Sequence, residues 1–272
     1  MGRHVAHRSE SKAAEIRAGL TVRLSLAQED LSLLRDLIAG RFSRDFLTQR
    51  LTPLLVASFV SGLLISFLLC EGYEWTKMDL SRLGVYTSTG NLIGPVVWSA
   101  TMVLTGLLLI PIISFLRGNL KNCSRRGLNI GTFFFYLCTY GLVGLGTVPL
   151  IQGNRRLYFI HVFHASLCFG GAYIGFWSLF LSMRGDLDNR KQAMIGSIIT
   201  CAVIAGFVVS QVVRISLNIG LREIWYLSIS AWEWLIIAVM FTTYIFIFLG
   251  SEISVADHSK GGDGGRSSIL RV

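Results

Sequence analysis

Charged residues are scarce in this chain of 272 residues: only 15% are Asp, Glu, Lys or Arg, against roughly 25% in an ordinary soluble domain. The sequence also lacks the glycine-rich motifs of nucleotide-binding proteins, the zinc-protease motif and the nucleophile elbow of serine hydrolases. No nucleic-acid-binding motif accompanies the net charge of +9, so we expect no nucleic acid partner. These absences argue against a nucleotide-binding enzyme, a zinc protease and a serine hydrolase.

Cysteine is sparse too, and it does not form the framework of a small disulfide-bonded domain. The chain has five cysteines, and three of them lie inside apolar blocks, which is typical of buried small hydrophobic side chains. A signal peptide is not expected, because roughly 50 mostly polar residues precede the first apolar block.

Apolar residues, in contrast, make up 52% of the chain, and they fall in six blocks near the 20 residues needed to cross a bilayer. The blocks are continuous rather than alternating, which predicts helices, because helices satisfy their own backbone hydrogen bonds in lipid. We therefore predict an all-α fold, a polytopic membrane bundle of six transmembrane helices. The predicted spans cover residues 53–70, 92–116, 129–151, 158–182, 193–215 and 228–250, with Thr52 as the first N-cap.

The distribution of Lys and Arg predicts the orientation of the bundle. Nineteen of the 25 lie in the two tails and in the loops after the second and fourth spans, and six lie on the other side. Because positive residues stay in the cytosol, both termini should be cytosolic. The predicted organisation is a basic cytosolic tail (1–52), a six-helix transmembrane domain (53–250) and a flexible, glycine-rich cytosolic tail (251–272).

The N-terminal tail contains a predicted amphipathic helix. Its apolar residues recur at alternating spacings of four and three, which places them on one helical face: Leu20, Leu24, Ala27, Leu31, Leu34 and Ile38. Three interpretations remain open: a helix on the cytosolic membrane surface, a helix packed on the base of the bundle, or a coiled-coil arm for a protein partner. Phe42 and Phe46, which lie among arginines, favour the membrane surface.

Pairs of small residues four positions apart occur in two spans. Gly171 and Gly175 form one pair, and Ala202 and Gly206 form the other. Such pairs let helix backbones approach closely. We favour packing within one bundle over homo-oligomerisation, and the oligomeric state stays open.

Four ionisable side chains fall inside the predicted spans, where a charge costs about 2.5–3.5 kcal/mol at the bilayer centre. They are His161, His164, Arg214 and Glu233, and the predicted topology puts all four in the extracytosolic half. Arg214 can snorkel to the interface, Glu233 can pair with a histidine or with Arg214, and the histidines can be merely hydrogen-bonded.

The more specific hypothesis is a polar pocket that binds a lipid headgroup or senses pH. It predicts that Glu233 contacts the histidines of the fourth span. We expect no cofactor and no metal, because two histidines three residues apart on one helix cannot take opposite faces of a haem. Nothing in the sequence fixes the geometry of a His, His, Glu metal site.

From about residue 54 to residue 250 the chain resembles the DRAM-like family of six-span membrane proteins, which includes damage-regulated autophagy modulators and FGF receptor-activating and GPI-lipid-remodelling proteins. The resemblance rests on the run Leu80-Ser81-Arg82-Leu83-Gly84 (Arg82 replaces an acidic residue), on the stretches 141–146 and 161–171, and on Glu233-Trp234.

The resemblance implies a non-enzymatic endomembrane protein that acts on lipid or protein partners in membrane trafficking and autophagy. It also implies a location in the lysosome, Golgi or ER rather than the plasma membrane. The alternative is a lipid-modifying or lipid-transferring protein that uses a His161, His164 and Glu233 pocket. The expected partners are membrane lipids, with protein partners at the N-terminal tail. Small-solute transport is a third candidate, but the spans lack a charged site at mid-membrane.

Overall fold

The computed structural model of the protein describes residues 28, 30–75, 78–86, 92–120, 123–151, 153–184, 190–217 and 229–250. Residues 30–38 form helix α1. Six longer helices follow: α2 (Arg44–Leu69), α3 (Ile93–Asn119), α4 (Arg125–Thr147), α5 (Arg155–Met183), α6 (Arg190–Ser216) and α7 (Ile229–Gly250). Between α2 and α3 lie a 3₁₀ helix, Leu80–Gly84, and strand β1, Val85–Tyr86; strand β2, Leu150–Ile151, follows α4.

Five helices in the described part of the chain are long and apolar enough to cross a membrane, namely α2 to α5 and the Met194–Ser216 part of α6. In α7 the apolar stretch found among the described residues is shorter, Ser230–Met240. These helices indicate an integral membrane protein built as a helical bundle. The sixth span and the cytosolic position of the termini stay predictions, and the C-terminal tail lies outside the described residues.

The first helix begins earlier than the sequence predicts. Helix α2 starts at Arg44 and includes a π-helical turn, Leu47–Leu51, in which the Thr52 N–H donates to the Leu47 carbonyl. Thr52 is therefore inside the helix and is not its N-cap. Pro53 explains the turn, because proline has no N–H to donate to the carbonyl four residues earlier, and the chain changes its hydrogen-bond register at that point.

The third predicted span, 129–151, has its expected length but is shifted four residues towards the N-terminus, as helix α4, Arg125–Thr147. Helix α4 ends at Thr147, and Pro149 follows two residues later, where the residue before a proline disfavours the helical conformation. Residues 150–151, predicted as helix, instead form β2 and pair in parallel with β1, Val85 opposite Leu150 and Tyr86 opposite Ile151. We name the end of the bundle that carries this strand pair the sheet end.

Glycines bring α4 and α5 together at close range. A Cβ added at Gly171 of α5 would lie 2.6 Å from the Phe134 carbonyl oxygen of α4, and one added at Gly141 would lie 2.6 Å from the His164 carbonyl oxygen. Gly206 of α6 lies against the Trp232 ring of α7. These small residues pack within the bundle, as the sequence analysis favours.

The opposite end of the bundle receives the N-terminal tail. Gly40, with a φ of +70°, turns the chain after α1, and Phe42 then stacks on Phe115 of α3 with ring centroids 5.1 Å apart. Phe42 thus packs on the bundle, contrary to its predicted place on the membrane surface. The apolar face of α1 is not packed on the base in the described structure, because Leu31 and Ile38 are 65% and 49% exposed. Residues 20–27 of the predicted helix lie outside the described range.

Candidate functional site

The loop between α2 and α3 is hydrogen-bonded to the start of α7 at the sheet end. The Leu80 N–H donates to Oε2 of Glu233 at 2.7 Å, and the Ser230 hydroxyl donates to Oδ1 of Asp79 at 2.9 Å. The carboxylate of Glu233 therefore accepts a hydrogen bond from the loop backbone, at the N-terminal end of the 3₁₀ helix. This differs from the prediction that Glu233 pairs with a histidine or with Arg214.

A third bond strengthens the same contact. The Trp234 Nε1–H donates to the Tyr73 hydroxyl oxygen at 3.1 Å, and that hydroxyl in turn donates to the Met78 carbonyl at 3.1 Å. Burial raises the pKa of Tyr73 above its usual value of 10.0, so the tyrosine stays neutral as a donor. Tyr73, Asp79 and Leu80 join two segments more than 150 residues apart in the sequence.

His161 is buried at the same level, one helix away. Its side chain is 3% exposed, and its ring stacks on the Trp98 indole of α3, with centroids 6.1 Å apart and planes 29° apart. Within the described residues neither imidazole nitrogen of His161 has a hydrogen-bond partner, and neither does Nε1 of Trp98. Buried polar atoms are nearly always paired, so this pair is the chemically notable feature of the site.

His164 has a different environment from His161. Its Nδ1 is 2.8 Å from the Ile160 carbonyl of its own helix, and its ring fills the space beside Gly144 of α4. The structure therefore separates the two predicted site histidines: His161 faces an internal cavity, whereas His164 packs in the α4–α5 interface. The predicted contact of Glu233 with His164 is replaced by these packing contacts.

Arg214 does not join the site. It lies in the last turn of α6, with a partly buried side chain whose Nη1 has no partner in the described part of the chain. It is not among the cavity-lining residues.

A cavity of about 490 Å³ connects these groups. His161, Glu233, Asp79 and Tyr158 line it at the sheet end. Apolar side chains line the remainder of the cavity, towards the end of the bundle that receives the N-terminal tail. They include Met102, Leu109, Ile113, Leu116, Phe135, Phe176 and Leu179. The result is an amphipathic cavity, polar at one end and apolar along its length.

Sequence reasoning missed Trp98, Tyr158, Asp79 and Tyr73 as members of this site. Asp79 directly precedes the Leu80–Gly84 run, so its position next to that motif was the available signal, whereas Tyr73 lies seven residues before the run and had no such signal. Nothing in the sequence marks Trp98, which joins the site because Gly84 leaves room for its indole ring.

No family model, curated protein or solved structure matches this chain. The resemblance to the DRAM-like proteins therefore stays a prediction, although its segments (residues 80–84, 141–146, 161–171 and Glu233-Trp234) all contribute to the sheet end or to the helix interface beneath it. The described residues contain no group of three or more His, Cys, Asp or Glu that could hold a metal ion.

Proposed function

We propose that this protein binds a membrane lipid without modifying it, with an acyl chain in the internal cavity and the polar part of the lipid at the sheet end. The observation that carries the proposal is the amphipathic cavity of about 490 Å³, which falls within the range of about 300–1,000 Å³ typical of small-molecule sites.

The length of the cavity suits an acyl chain. Its lining on α3 extends from Trp98 to Leu116, eighteen residues apart. At 1.5 Å per helical residue this is about 27 Å, close to the roughly 30 Å thickness of the hydrocarbon core. An acyl chain that enters this cavity would exchange contacts with neighbouring lipid chains for contacts with side chains that are similarly apolar.

The polar end offers hydrogen-bond donors for an ester or amide carbonyl. Trp98 carries an indole N–H, and a neutral His161 carries one N–H and one acceptor nitrogen. Because neither side chain has a hydrogen-bond partner in the described structure, a lipid carbonyl at the edges of the two rings would accept from N–H groups that are otherwise costly to bury. This chemistry favours acyl lipids over hydrocarbons that have no polar group.

The hydrogen bonding of Glu233 favours binding over catalysis. Its Oε2 accepts from the Leu80 backbone, so the carboxylate holds the loop on α7 rather than lying free beside His161. In the lipid-modifying alternative Glu233 would assist His161 in acid–base chemistry at the lipid carbonyl, but its Oε2 is occupied by the Leu80 N–H. Roles in membrane trafficking or autophagy, and a lysosomal, Golgi or ER location, are predictions that rest on the family resemblance.

Filling the cavity tests the proposal. Ala165 lines the cavity, and Ala165→Phe should reduce the number of lipids that co-purify with the protein, measured by native mass spectrometry from mild detergent. Ala100→Phe is the matched control, because Ala100 is exposed on α3 and is not part of the cavity lining. Equal lipid content in both variants and the parent protein would refute the proposed function.

Removing the polar contacts tests the position of the carbonyl. His161→Phe should weaken binding of a fluorescent phosphatidylcholine roughly two- to tenfold, the effect of losing one hydrogen bond. His164→Phe should leave this affinity unchanged, because His164 lies outside the cavity lining. Release of free fatty acid or a changed lipid mass by the parent protein, but not by His161→Phe, would support the lipid-modifying alternative instead.

A further inference from the structure

A second cavity of about 460 Å³ adjoins the first at the sheet end. Asp79, Ser81 and Tyr158 line both cavities, so the two cavities adjoin at these residues. We name the second cavity the vestibule. Its other lining residues are Met78, Arg82, Val85, Leu150, Ile151, Gly153, Asn154 and Arg155.

Two arginines give the vestibule a positive character. Arg82 and Arg155 line it, and Asp79 is the acidic residue among its lining, so its formal charge is +1. In the described structure the ion pairs found are Arg35 and Arg41 with Asp36, in the N-terminal tail, and none involves the vestibule arginines. The Arg155 guanidinium lies 5.5 Å from the centre of the Phe159 ring, and Asp79 accepts from Ser230.

The fold brings the backbones of both arginines to this end of the bundle. Arg82 belongs to the 3₁₀ helix Leu80–Gly84, directly before β1, and Arg155 is the first residue of α5, shortly after β2. Parallel pairing of the two strands holds these segments side by side. Strand pairing thus brings the two arginine-bearing segments to one cavity, where both side chains are exposed.

We propose that the vestibule binds the phosphate of an anionic lipid whose acyl chain occupies the internal cavity. The guanidinium group matches phosphate oxygens because it presents N–H donors in a rigid planar fork. The donors of Trp98 and His161 lie between the vestibule and the apolar part of the cavity, which is the order of phosphate, carbonyl and chain in a glycerophospholipid. This inference rests on the proposed function and adds the class of headgroup.

The test compares headgroups on identical chains. Purified full-length protein in detergent is titrated with dioleoyl phosphatidic acid and dioleoyl phosphatidylcholine, each in competition with a fluorescent phosphatidylcholine. The parent protein should prefer phosphatidic acid by about tenfold, which corresponds to one charge-assisted interaction at a site partly screened by solvent. The double variant Arg82→Gln with Arg155→Gln should lose this preference and still bind phosphatidylcholine.

Arg156→Gln is the matched control, since Arg156 is exposed, follows Arg155 on the same helix and does not line the vestibule. It removes one positive charge, as each of the single variants Arg82→Gln and Arg155→Gln does, and it should keep the preference. Loss of the preference in Arg156→Gln as large as in the double variant would overturn the vestibule proposal in favour of general surface attraction.

Two further outcomes separate the proposals from each other. Equal affinity of the parent protein for both lipids would overturn the headgroup assignment and leave lipid binding intact. A titration with inorganic phosphate distinguishes the source of the anion. If phosphate displaces phosphatidic acid at similar concentrations, the vestibule binds a free anion rather than a lipid headgroup. If neither the parent protein nor Ala165→Phe binds any lipid, the proposed function itself is refuted.

Discussion

Single glycines decide which side chains can enter the helix interfaces of this protein. Gly144 of α4 faces the His164 ring, and that ring cannot easily turn away because its Nδ1 is bonded to the Ile160 carbonyl. Gly170, in contrast, has no neighbour within 4 Å of an added Cβ. Both glycines therefore have a helical backbone, Gly144 in α4 and Gly170 in α5, but their surroundings differ in packing.

This difference predicts opposite effects of one substitution. Gly144→Ala should lower the free energy of unfolding by about 1–3 kcal/mol, the usual cost of overpacking a tight interface. Gly170→Ala should be neutral or stabilising by up to about 1 kcal/mol, because alanine has the higher helix propensity. Thermal unfolding in one detergent measures both variants, and similar melting temperatures for the two would contradict the described packing of His164.

The α2–α3 loop is joined to α7 by three hydrogen bonds at the sheet end. Its hydrogen bonds join Tyr73, Asp79 and Leu80 to Trp234, Ser230 and Glu233. The bond of Trp234 to Tyr73 has both partners in side chains, so mutation can remove it without changing the backbone. Tyr73→Phe and Trp234→Phe should each lower the free energy of unfolding by about 0.5–1.5 kcal/mol. The double variant should cost less than the sum of the two, because the Trp234–Tyr73 bond is lost in both changes, whereas the Tyr73–Met78 bond is lost in Tyr73→Phe alone.

The pH dependence of the same contact gives an independent measurement. Because burial raises the folded-state pKa of Tyr73 above 10.0, its contribution to stability is present below pH 10 and declines as the pH rises above that value. The parent protein should therefore lose stability more steeply above pH 10 than Tyr73→Phe does. Tyr136→Phe serves as the control, since Tyr136 bonds to Ser114 elsewhere in the bundle. Parallel pH profiles for all three proteins would contradict the burial of Tyr73.

The sequence predicts these elements well where one rule dominates. Apolar length and helix periodicity place α3, α5, α6 and α7 within about three residues of their bounds, because lipid leaves the backbone few alternatives to a helix. The larger errors lie at the start of α2, where Pro53 changes the hydrogen-bond register, and in α4, which begins at Arg125, four residues before its predicted start, and ends before Pro149. The site was predicted in part: depth alone placed His161 and Glu233 at one level, but depth does not specify rotation about the helix axis. That rotation turns His164 into an interface and Glu233 towards the loop.

For the whole molecule, the uneven distribution of Lys and Arg predicts which side of the membrane carries the vestibule. The sheet end contains the loop that follows α2, so cytosolic termini would place the vestibule on the extracytosolic side. Glycosylation acceptors introduced at residues 87–91 should be modified in cells, while the native Asn122-Cys123-Ser124 sequence should not. Modification at Asn122, with none in the introduced sites, would invert the orientation.

The π-helical turn at Leu47–Leu51 has a consequence for everything that precedes it. The turn places one additional residue between the bundle and the tail. The direction in which the tail leaves α2 therefore depends on the presence of that one residue. Deleting one residue from 47–51 would restore a regular α-helix and rotate the preceding segment by about 100°. Phe42 would then lose its stack on Phe115, and the exposed apolar side of α1 would face another direction. The number of residues in this short segment thus determines the direction of the tail. Insertions and deletions there should be tolerated less than substitutions.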